Sequence, residues 1–238
     1  MHKTFVIAEL GSSWNSSLED AEALIKVAVD AGASACKFQW TSDPHEMAKR
    51  RKASAEAQAM YAKYLAYPIE TLLALKDLCT KAGIEFMVTT FIDADIQTVS
   101  SMVERFKVSA FESGNNDFIR HHVRYDKDII VSINPTYLPL PRTQRLRQIK
   151  LLHCISKYPA KLDELYLSRI NEFDLDGYSD HSGDPITGGI AVAAGAGIVE
   201  AHIKLDTTPI DNPDYPHSLT PDEFGQYMND IRTVEKML

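Results

Sequence analysis

The stretch GYSDHSGDPITGGIAVAAGAGIVEAHIKL, residues 177–205, holds two short apolar runs separated by a segment long enough for a helix. Strand, helix and second strand in this order form the unit of a parallel sheet covered by helices. The same alternation continues towards both ends of the chain, and the eight apolar runs are TFVIAEL (4–10), ACKFQW (35–40), EFMVTTF (85–91), RFKVSAF (105–111), DIIVSI (128–133), KLLHCIS (150–156), LDGYSD (175–180) and IVEAHIKL (198–205). Eight such units, with no G-x-G-x-x-G after the first, predict an α/β protein with a closed (β/α)₈ TIM barrel rather than an open doubly wound sheet. We expect a single domain over residues 1–238.

Helices are expected after each run. The first is predicted to begin at Ser17 and to end before Gly32, and the last to begin at Thr220 with Pro221 and Glu223 and to run to Leu238. Two longer connections, 41–66 and 206–219, interrupt the pattern and are predicted to lie as loops on the catalytic rim of the barrel.

Composition limits the function classes. With a net charge of −8 and a pI near 5.5, the chain is not expected to bind nucleic acid or an anionic membrane surface. The N-terminus lacks a secretory apolar region and no run approaches the ~18 apolar residues of a membrane span, so we expect a cytoplasmic protein. Cys36, Cys79 and Cys154 lie in apolar segments and are predicted to be reduced core residues.

Polar side chains at the ends of barrel strands indicate a site, because the carboxyl ends of the strands line the active site of this fold. In the last run, Glu200, His202 and Lys204 share the face that points into the barrel mouth. His181 ends the neighbouring strand, so two imidazoles can meet near a carboxylate, a donor set that Mn²⁺, Zn²⁺ or Fe²⁺ accepts. The alternative is a pair of core histidines with hydrogen-bond partners.

Two lysines, Lys37 and Lys107, lie in apolar strands. Burying an ammonium is costly unless an anion compensates it, so both are predicted to face a phosphate or carboxylate ligand, with Ser132 and Ser179 as additional donors. The alternative is that each lysine extends from a strand end to solvent.

Six segments resemble, in order, the signatures of the sialic acid synthase (N-acetylneuraminate synthase) family: VIAELGSSWN, AGASACKFQW, LLHCISKYPA, GYSDHSGD, AAGAGIVEAHIKLD and DYPHSLTPDEF. The resemblance implies the family's catalytic barrel, here without its C-terminal antifreeze-like domain. In the family that domain reaches into the partner subunit and helps to hold the sugar. The resemblance also implies a metal-assisted condensation of phosphoenolpyruvate with an aldose acceptor, giving a 2-keto-3-deoxy acid and phosphate.

The resemblance further implies a role for each matching position. His181 and His202 would bind the divalent metal, expected to be Mn²⁺ with Mg²⁺ or Co²⁺ as alternatives, and act in catalysis with the nearby Glu9. The other assignments are these: Glu200 near the metal; Lys37, Thr89, Phe91, Lys107, Ser132 and Ser179 for phosphoenolpyruvate; Tyr158 and Asp214 for the acceptor; Glu112 as a catalytic carboxylate. Thr89 and Phe91 would also fit any barrel strand, Tyr158 could simply pack, and Asp214 could cap a turn.

Several positions depart from the family pattern. Ser13-Trp14-Asn15-Ser16 replaces the motif N-H-x-G, Ala110 replaces a serine, and Ser156 replaces an asparagine. Lys204 adds a positive charge, and we expect its side chain to contact the substrate. We expect segments 41–66 and 206–219 to hold the acceptor, the latter through Asp211, Asp214, Tyr215 and His217. A keto-acid lyase or aldolase and a noncatalytic ligand-binding barrel remain open as alternative functions. The chain could also form a homo-oligomer.

Overall fold

Eight parallel strands form a closed barrel in the computed structural model of the chain, which describes residues 3–134 and 147–238. The strands pair in sequence order, and the last pairs with the first. They are β1 (Phe5–Glu9), β2 (Ala35–Gln39), β3 (Glu85–Thr89), β4 (Phe106–Val108), β5 (Ile129–Ile133), β6 (Ile149–Cys154), β7 (Gly177–Asp180) and β8 (Ile198–His202). Each strand coincides with one of the eight apolar runs, which confirms the predicted TIM barrel.

Helices cover the outside of this sheet. Within the described residues they are α1 (Leu18–Ala31), α2 (Pro44–Arg51), α3 (Ala55–Tyr64), α4 (Ile69–Ala82), α5 (Asp93–Ser100), α6 (Asn116–Val123), α7 (Arg169–Glu172), α8 (Ile186–Ala193) and α9 (Pro221–Glu235). The helix expected after β5 would fall mainly on 135–146, outside the described residues. Among residues 3–134 and 147–238, no helix is long and apolar enough to cross a membrane.

The predicted boundaries of the first and last helices follow from local hydrogen bonds. The Ser17 hydroxyl accepts a bond from the Asp20 amide, and Gly32 ends α1 in the left-handed conformation at φ 82°. Thr220 and Glu223 form a reciprocal capping box at the start of α9. Helix α9 ends at Glu235, three residues before the predicted end.

Segment 41–66 is not the predicted loop, because it contains helices α2 and α3. Asp43 caps α2 by accepting hydrogen bonds from the amides of His45 and Glu46, each at 2.9 Å. Ser54 caps α3 in the same way. An apolar cluster attaches these helices to the barrel, and it contains Met47, Tyr64, Leu65, Phe91 and Ile92. The segment therefore forms a packed helical wall.

The barrel interior is layered. Its amino-terminal end is filled by an apolar cluster of Ile7, Ala35, Met87, Ile130 and Leu152. Side chains alternate along each strand, so the next inward positions towards the carboxyl ends carry the polar residues that the sequence indicated. The larger apolar core lies between sheet and helices and includes Cys36 and Cys79. Together with Cys154 these are free, buried thiols, as predicted.

Candidate active site

A cavity of about 1260 Å³ opens among the carboxyl ends of the strands. It exceeds the roughly 300–1000 Å³ of common small-molecule sites, so it has room for two reactants. Twelve residues with a predicted site role line it: Lys37, Thr89, Phe91, Lys107, Ser132, Tyr158, Ser179, His181, Glu200, His202, Asp214 and His217.

The floor of the cavity is a buried network of opposite charges. It is defined here as Lys37, Lys107 and Glu200, which line the cavity, together with Glu9, which is buried behind Lys37. The Lys37 Nζ lies 2.6 Å from Glu9 Oε2 and 3.6 Å from Glu200 Oε2. The Lys107 Nζ lies 3.4 Å from Glu200 Oε1. We expected a ligand to supply the anions, but the chain itself provides two carboxylates, and this corrects the prediction that the lysines need a bound anion. Both ammonium groups still line the cavity.

Burial and charge act differently on the two lysines. Burial opposes the charged form of Lys37, yet Glu200 and Glu9 together raise its pKa above the ordinary value. Burial lowers the pKa of Lys107, which Glu200 offsets only in part. For Glu200, burial acts against ionisation, but Lys107 and Lys37 lower its pKa to about 2. Glu200 is therefore a carboxylate shared by two cations.

Hydroxyl groups complete the floor. The Lys37 ammonium donates to Thr89 Oγ1 at 3.0 Å and the Lys107 ammonium to Ser132 Oγ at 2.7 Å. Ser179 donates to Glu200 Oε1 at 3.0 Å. These contacts join inward positions of different strands, and they hold both ammonium groups in fixed orientations.

Imidazole rings form one side of the cavity. The ring centroids of His181 and His202 lie 5.4 Å apart, so the sequence prediction that these two histidines meet is confirmed as geometry. His181 Nδ1 donates to the Ile155 carbonyl at 2.8 Å, which leaves its Nε2 with a lone pair. Burial and the neighbouring His202 lower the pKa of His181 to about 3, so the ring is neutral at pH 7.

A third histidine, His217, extends this side. Its ring centroid lies 4.6 Å from that of His202, and its Nε2 lies 3.5 Å from Asp214 Oδ1. His202 Nδ1 lies 3.7 Å from Asp214 Oδ2. One donor atom each from His202, Asp214 and His217 falls within 4.8 Å of the others, so these three could hold a metal ion. The Tyr158 ring covers His181, with centroids 4.2 Å apart.

Two glycines allow segment 206–219 to approach the barrel closely. The Ser12 amide donates to Asp214 Oδ2 at 2.7 Å, and a Cβ on Gly11 would lie 2.0 Å from the same oxygen. A Cβ on Gly183 would lie 3.1 Å from the backbone of His217. Both glycines have positive φ, 41° and 69°. The segment is also joined at its base by a bridge between Ile203 and Leu219.

The opposite wall contains a group that sequence reasoning missed. Arg51, at the end of α2, lines the cavity and forms an ion pair with Glu112 at 2.6 Å. Its guanidinium also lies over the rings of Phe91 and Phe111, at 4.8 and 4.5 Å from their centroids. In the sequence Arg51 belongs to the basic run KRRK, which resembles an ordinary solvated helix end. Its partner is 61 residues away, so no local signal identifies it.

Five predicted site residues do not line the cavity: Glu9, Glu112, Lys204, Asp211 and Tyr215. Glu9 is fully buried behind Lys37, and Gln39 Nε2 donates to its Oε1 at 2.6 Å. Glu112 accepts from Arg51 and from the Ser109 hydroxyl. Lys204 lies beyond the end of β8 and donates to the Tyr215 carbonyl at 2.8 Å. The expectation that Lys204 points into the barrel mouth is wrong, because the alternation of the strand stops at His202.

The fold and site together define a (β/α)₈ barrel whose cavity combines buried ammonium groups with a carboxylate and imidazoles. The chain belongs to the NeuB family, whose model matches residues 24–238. It is 30% identical to N,N'-diacetyllegionaminic acid synthase of Legionella pneumophila, over 98% of this chain and 73% of that protein. It is 25% identical to human N-acetylneuraminate-9-phosphate synthase, over 100% of this chain and 72% of that protein.

A solved structure agrees with the sequence relatives. The N-acetylneuraminic acid (sialic acid) synthetase of Leptospira borgpetersenii, crystallised in complex with citrate, superposes with a TM-score of 0.86. Sequence identity is 26%, and the match covers 99% of this chain and 85% of that one. The predicted family and fold are therefore confirmed.

Proposed function

We propose that this chain is a sialic-acid-synthase-like enzyme that condenses phosphoenolpyruvate with an aldose. One observation carries the proposal: a single cavity joins two buried ammonium groups to three imidazoles and a carboxylate. The first set suits an anionic substrate, and the second suits activation of an aldehyde oxygen. Homologous enzymes named as sugar-acid synthases support the same chemistry.

Phosphoenolpyruvate is proposed to bind at the floor. Lys37 and Lys107 would donate to its phosphate and carboxylate, with Thr89, Ser132 and Ser179 as neutral donors. Glu9 and Glu200 keep both ammonium groups stable before the substrate arrives, and an incoming anion would share those cations with Glu200. Phe91 would pack beside the substrate.

The aldehyde is proposed to bind between the imidazoles and Tyr158. A divalent ion held by His202 with its neighbours, among them the predicted ligand His181, would polarise the aldehyde oxygen when bound. Ring nitrogens of His202 and His217 without hydrogen-bond partners among the described residues fit such an ion. Arg51 would contact sugar hydroxyls or an acidic substituent, and Asp214, which the sequence assigned to the acceptor, lies beside the proposed ion.

The reaction balances without a further reactant. C3 of phosphoenolpyruvate forms a bond to the aldehyde carbon, whose oxygen takes up a proton. Water adds at C2, and the C2–O bond to phosphate breaks, leaving a ketone at C2 and free inorganic phosphate. Glu112, which accepts two hydrogen bonds from Arg51, is our candidate for accepting the proton of that water.

The deciding experiment incubates the protein with phosphoenolpyruvate, Mn²⁺ and a panel of N-acetylmannosamine, unmodified aldoses and phosphorylated aldoses. We expect phosphate release only with an aldehyde acceptor, and a product whose mass equals both reactants plus water minus phosphoric acid. Cleavage of a 2-keto-3-deoxy acid without use of phosphoenolpyruvate would instead identify a lyase. Failure to bind phosphoenolpyruvate at all would favour a noncatalytic barrel.

A further inference from the structure

Three buried ring nitrogens on the 206–219 side of the cavity lack hydrogen-bond partners within residues 3–134 and 147–238, although Asp214 lies at ion-pair distance from two of them. His202 Nδ1 and both ring nitrogens of His217 are buried and lack hydrogen-bond partners among the residues that the structure describes. Only 6% of His202 and 2% of His217 is exposed. Buried polar nitrogens without partners are costly, so their persistence at one point indicates a ligand.

The geometry of these donors resembles that around a single ion. Donor atoms about 2.1 Å from one metal stand roughly 3.0–3.4 Å apart at octahedral or tetrahedral angles. Here Asp214 Oδ2 lies 3.7 Å from His202 Nδ1, and the other oxygen, Oδ1, lies 3.5 Å from His217 Nε2. One donor atom from each of the three residues falls within 4.8 Å of the others, so a shared ion would draw them closer together. Two imidazoles and one carboxylate suit Mn²⁺, Fe²⁺, Co²⁺ or Zn²⁺.

We infer that His217 and Asp214 bind the catalytic divalent ion together with His202, so that the ligand set reaches beyond the histidine pair predicted from the sequence. His181 stands beside this set, with its ring centroid 5.4 Å from that of His202 and 6.3 Å from that of His217. Its Nε2 keeps a lone pair because Nδ1 donates to the Ile155 carbonyl, so it can complete the coordination. The inference rests on the proposed function, which gives the ion its role.

The surrounding loops preorganise the carboxylate and the new imidazole. The Ser12 amide fixes Asp214 Oδ2, the oxygen that Gly11 leaves room for. Gly183 lets the turn after β7 pass close to the backbone of His217. Hydrogen bonds to a liganding group and steric support around it are features of built metal sites.

The first test measures Mn²⁺ affinity of the intact chain without substrates, from the loss of the free-ion electron paramagnetic resonance signal. His217→Ala should weaken binding by at least about tenfold, because losing a ligand costs no less than losing a group that orients one. His45→Ala is the matched control, since His45 is exposed on α2, and it should bind as the wild type does. Thermal unfolding of each variant checks that it is folded.

The second test asks whether residue 217 touches the ion. Co²⁺ bound to His217→Cys should show a sulfur-to-cobalt charge-transfer band that neither the wild type nor His45→Cys displays. The wild-type baseline matters because the Cys154 thiol lies near His181. Weaker Mn²⁺ binding by His217→Ala without a band in His217→Cys would make His217 a positioning residue and overturn its assignment as a ligand.

Two other results would also overturn the inference. One is an unchanged Mn²⁺ affinity in His217→Ala with a loss in His181→Ala, which would leave the predicted pair as the site. The other is no Mn²⁺ binding by the wild type. Because binding is measured without substrates, a failed phosphate-release assay would reject the proposed function while leaving this result intact.

Discussion

The floor and the rim of the cavity differ in how their charged and polar groups are partnered. The rim is defined here as the cavity-facing residues of segments 41–66 and 206–219. On the floor, each ammonium lies within 3.6 Å of a carboxylate. On the rim, Arg51 is paired with Glu112, whereas His217 has Asp214 at 3.5 Å but no hydrogen-bond partner for either ring nitrogen among the described residues.

We infer from this difference that the floor contributes mainly to folding stability and the rim mainly to ligand binding. A floor that neutralises itself can fold without a ligand, because its buried charges already have partners. The ring nitrogens of His217 lack hydrogen bonds within the described residues, so a bound ligand would supply contacts that the fold does not. Substitutions on the floor should therefore affect folding first, whereas substitutions on the rim should affect binding with little change in folding.

The largest effect is expected for Glu200→Gln. This change leaves two buried ammonium groups with only Glu9, and breaking a buried ion pair typically costs about 3–5 kcal/mol. Urea unfolding measures the loss, with Glu56→Gln on the exposed face of α3 as the control. The double variant Glu200→Gln/Lys107→Met should regain part of the stability. An unchanged unfolding free energy in Glu200→Gln would contradict the description of the floor.

The same carboxylate should make stability depend on pH. Lys107 and Lys37 outweigh the effect of burial and lower the pKa of Glu200 from 4.5 to about 2. A lowered pKa in the folded state gives stability that is complete above about pH 4.5 and is lost as the pH falls towards 2, on the order of 3 kcal/mol. Unfolding at a series of pH values should show this portion of the acid sensitivity in the wild type and lack it in Glu200→Gln.

A smaller, functional effect is expected for Lys107→Met. Removing one charged donor should weaken phosphoenolpyruvate binding by about ten- to a hundredfold, since a hydrogen bond to a charged group contributes roughly 1.5–3 kcal/mol. Calorimetric titration with phosphoenolpyruvate measures it, and Mn²⁺ affinity should stay nearly constant. Lys81→Met, on an exposed lysine of α4, is the control. Unchanged phosphoenolpyruvate affinity would remove Lys107 from the site.

Gly11→Ala tests the rim. The new Cβ would displace Asp214, and loss of such support should weaken Mn²⁺ binding by about tenfold. Gly83→Ala is a matched control, because Gly83 also has positive φ but a Cβ there would meet nothing within 4 Å. Both variants should lose stability from backbone strain, about 1 kcal/mol. Equal Mn²⁺ affinities in the two would separate Asp214 from the ion.

The smallest effect is expected for Lys204→Ala. Its ammonium donates to the Tyr215 carbonyl in a partly buried contact outside the cavity lining, so steady-state rates with each acceptor should change by less than about threefold. Comparison of N-acetylmannosamine with acidic aldoses is the decisive measurement. A selective loss of activity towards acidic acceptors would restore the role first expected for this lysine.

The barrel could be predicted because its determinants are local. Each strand is an apolar run of a few residues, and inward side chains recur every second position, so the floor followed from the same pattern that gave the strands. Lys37 and Lys107 were identified this way. Their intramolecular partners were not, because Glu9 and Glu200 were expected to stand near a metal.

The rim was harder to predict because its contacts are long-range. The caps Asp43 and Ser54 were available as signals for α2 and α3, yet charge and composition favoured a loop. The Arg51–Glu112 pair has no sequence signal. Lys204 was misplaced because the alternation was extended past His202, where the chain instead bridges to Leu219.

That bridge has a consequence for how such enzymes can diversify. The Lys204 amide donates to the Leu219 carbonyl, and the Leu219 amide donates to the His202 carbonyl, each within 2.9 Å. Residues 206–219 therefore form a compact loop whose two ends are held side by side by backbone hydrogen bonds. Its exposed stretch 209–211 can change in sequence or length without shifting the barrel, because the register is set at the two held ends. Variation can act there while Asp214 and His217, in the same segment, keep their places beside His202.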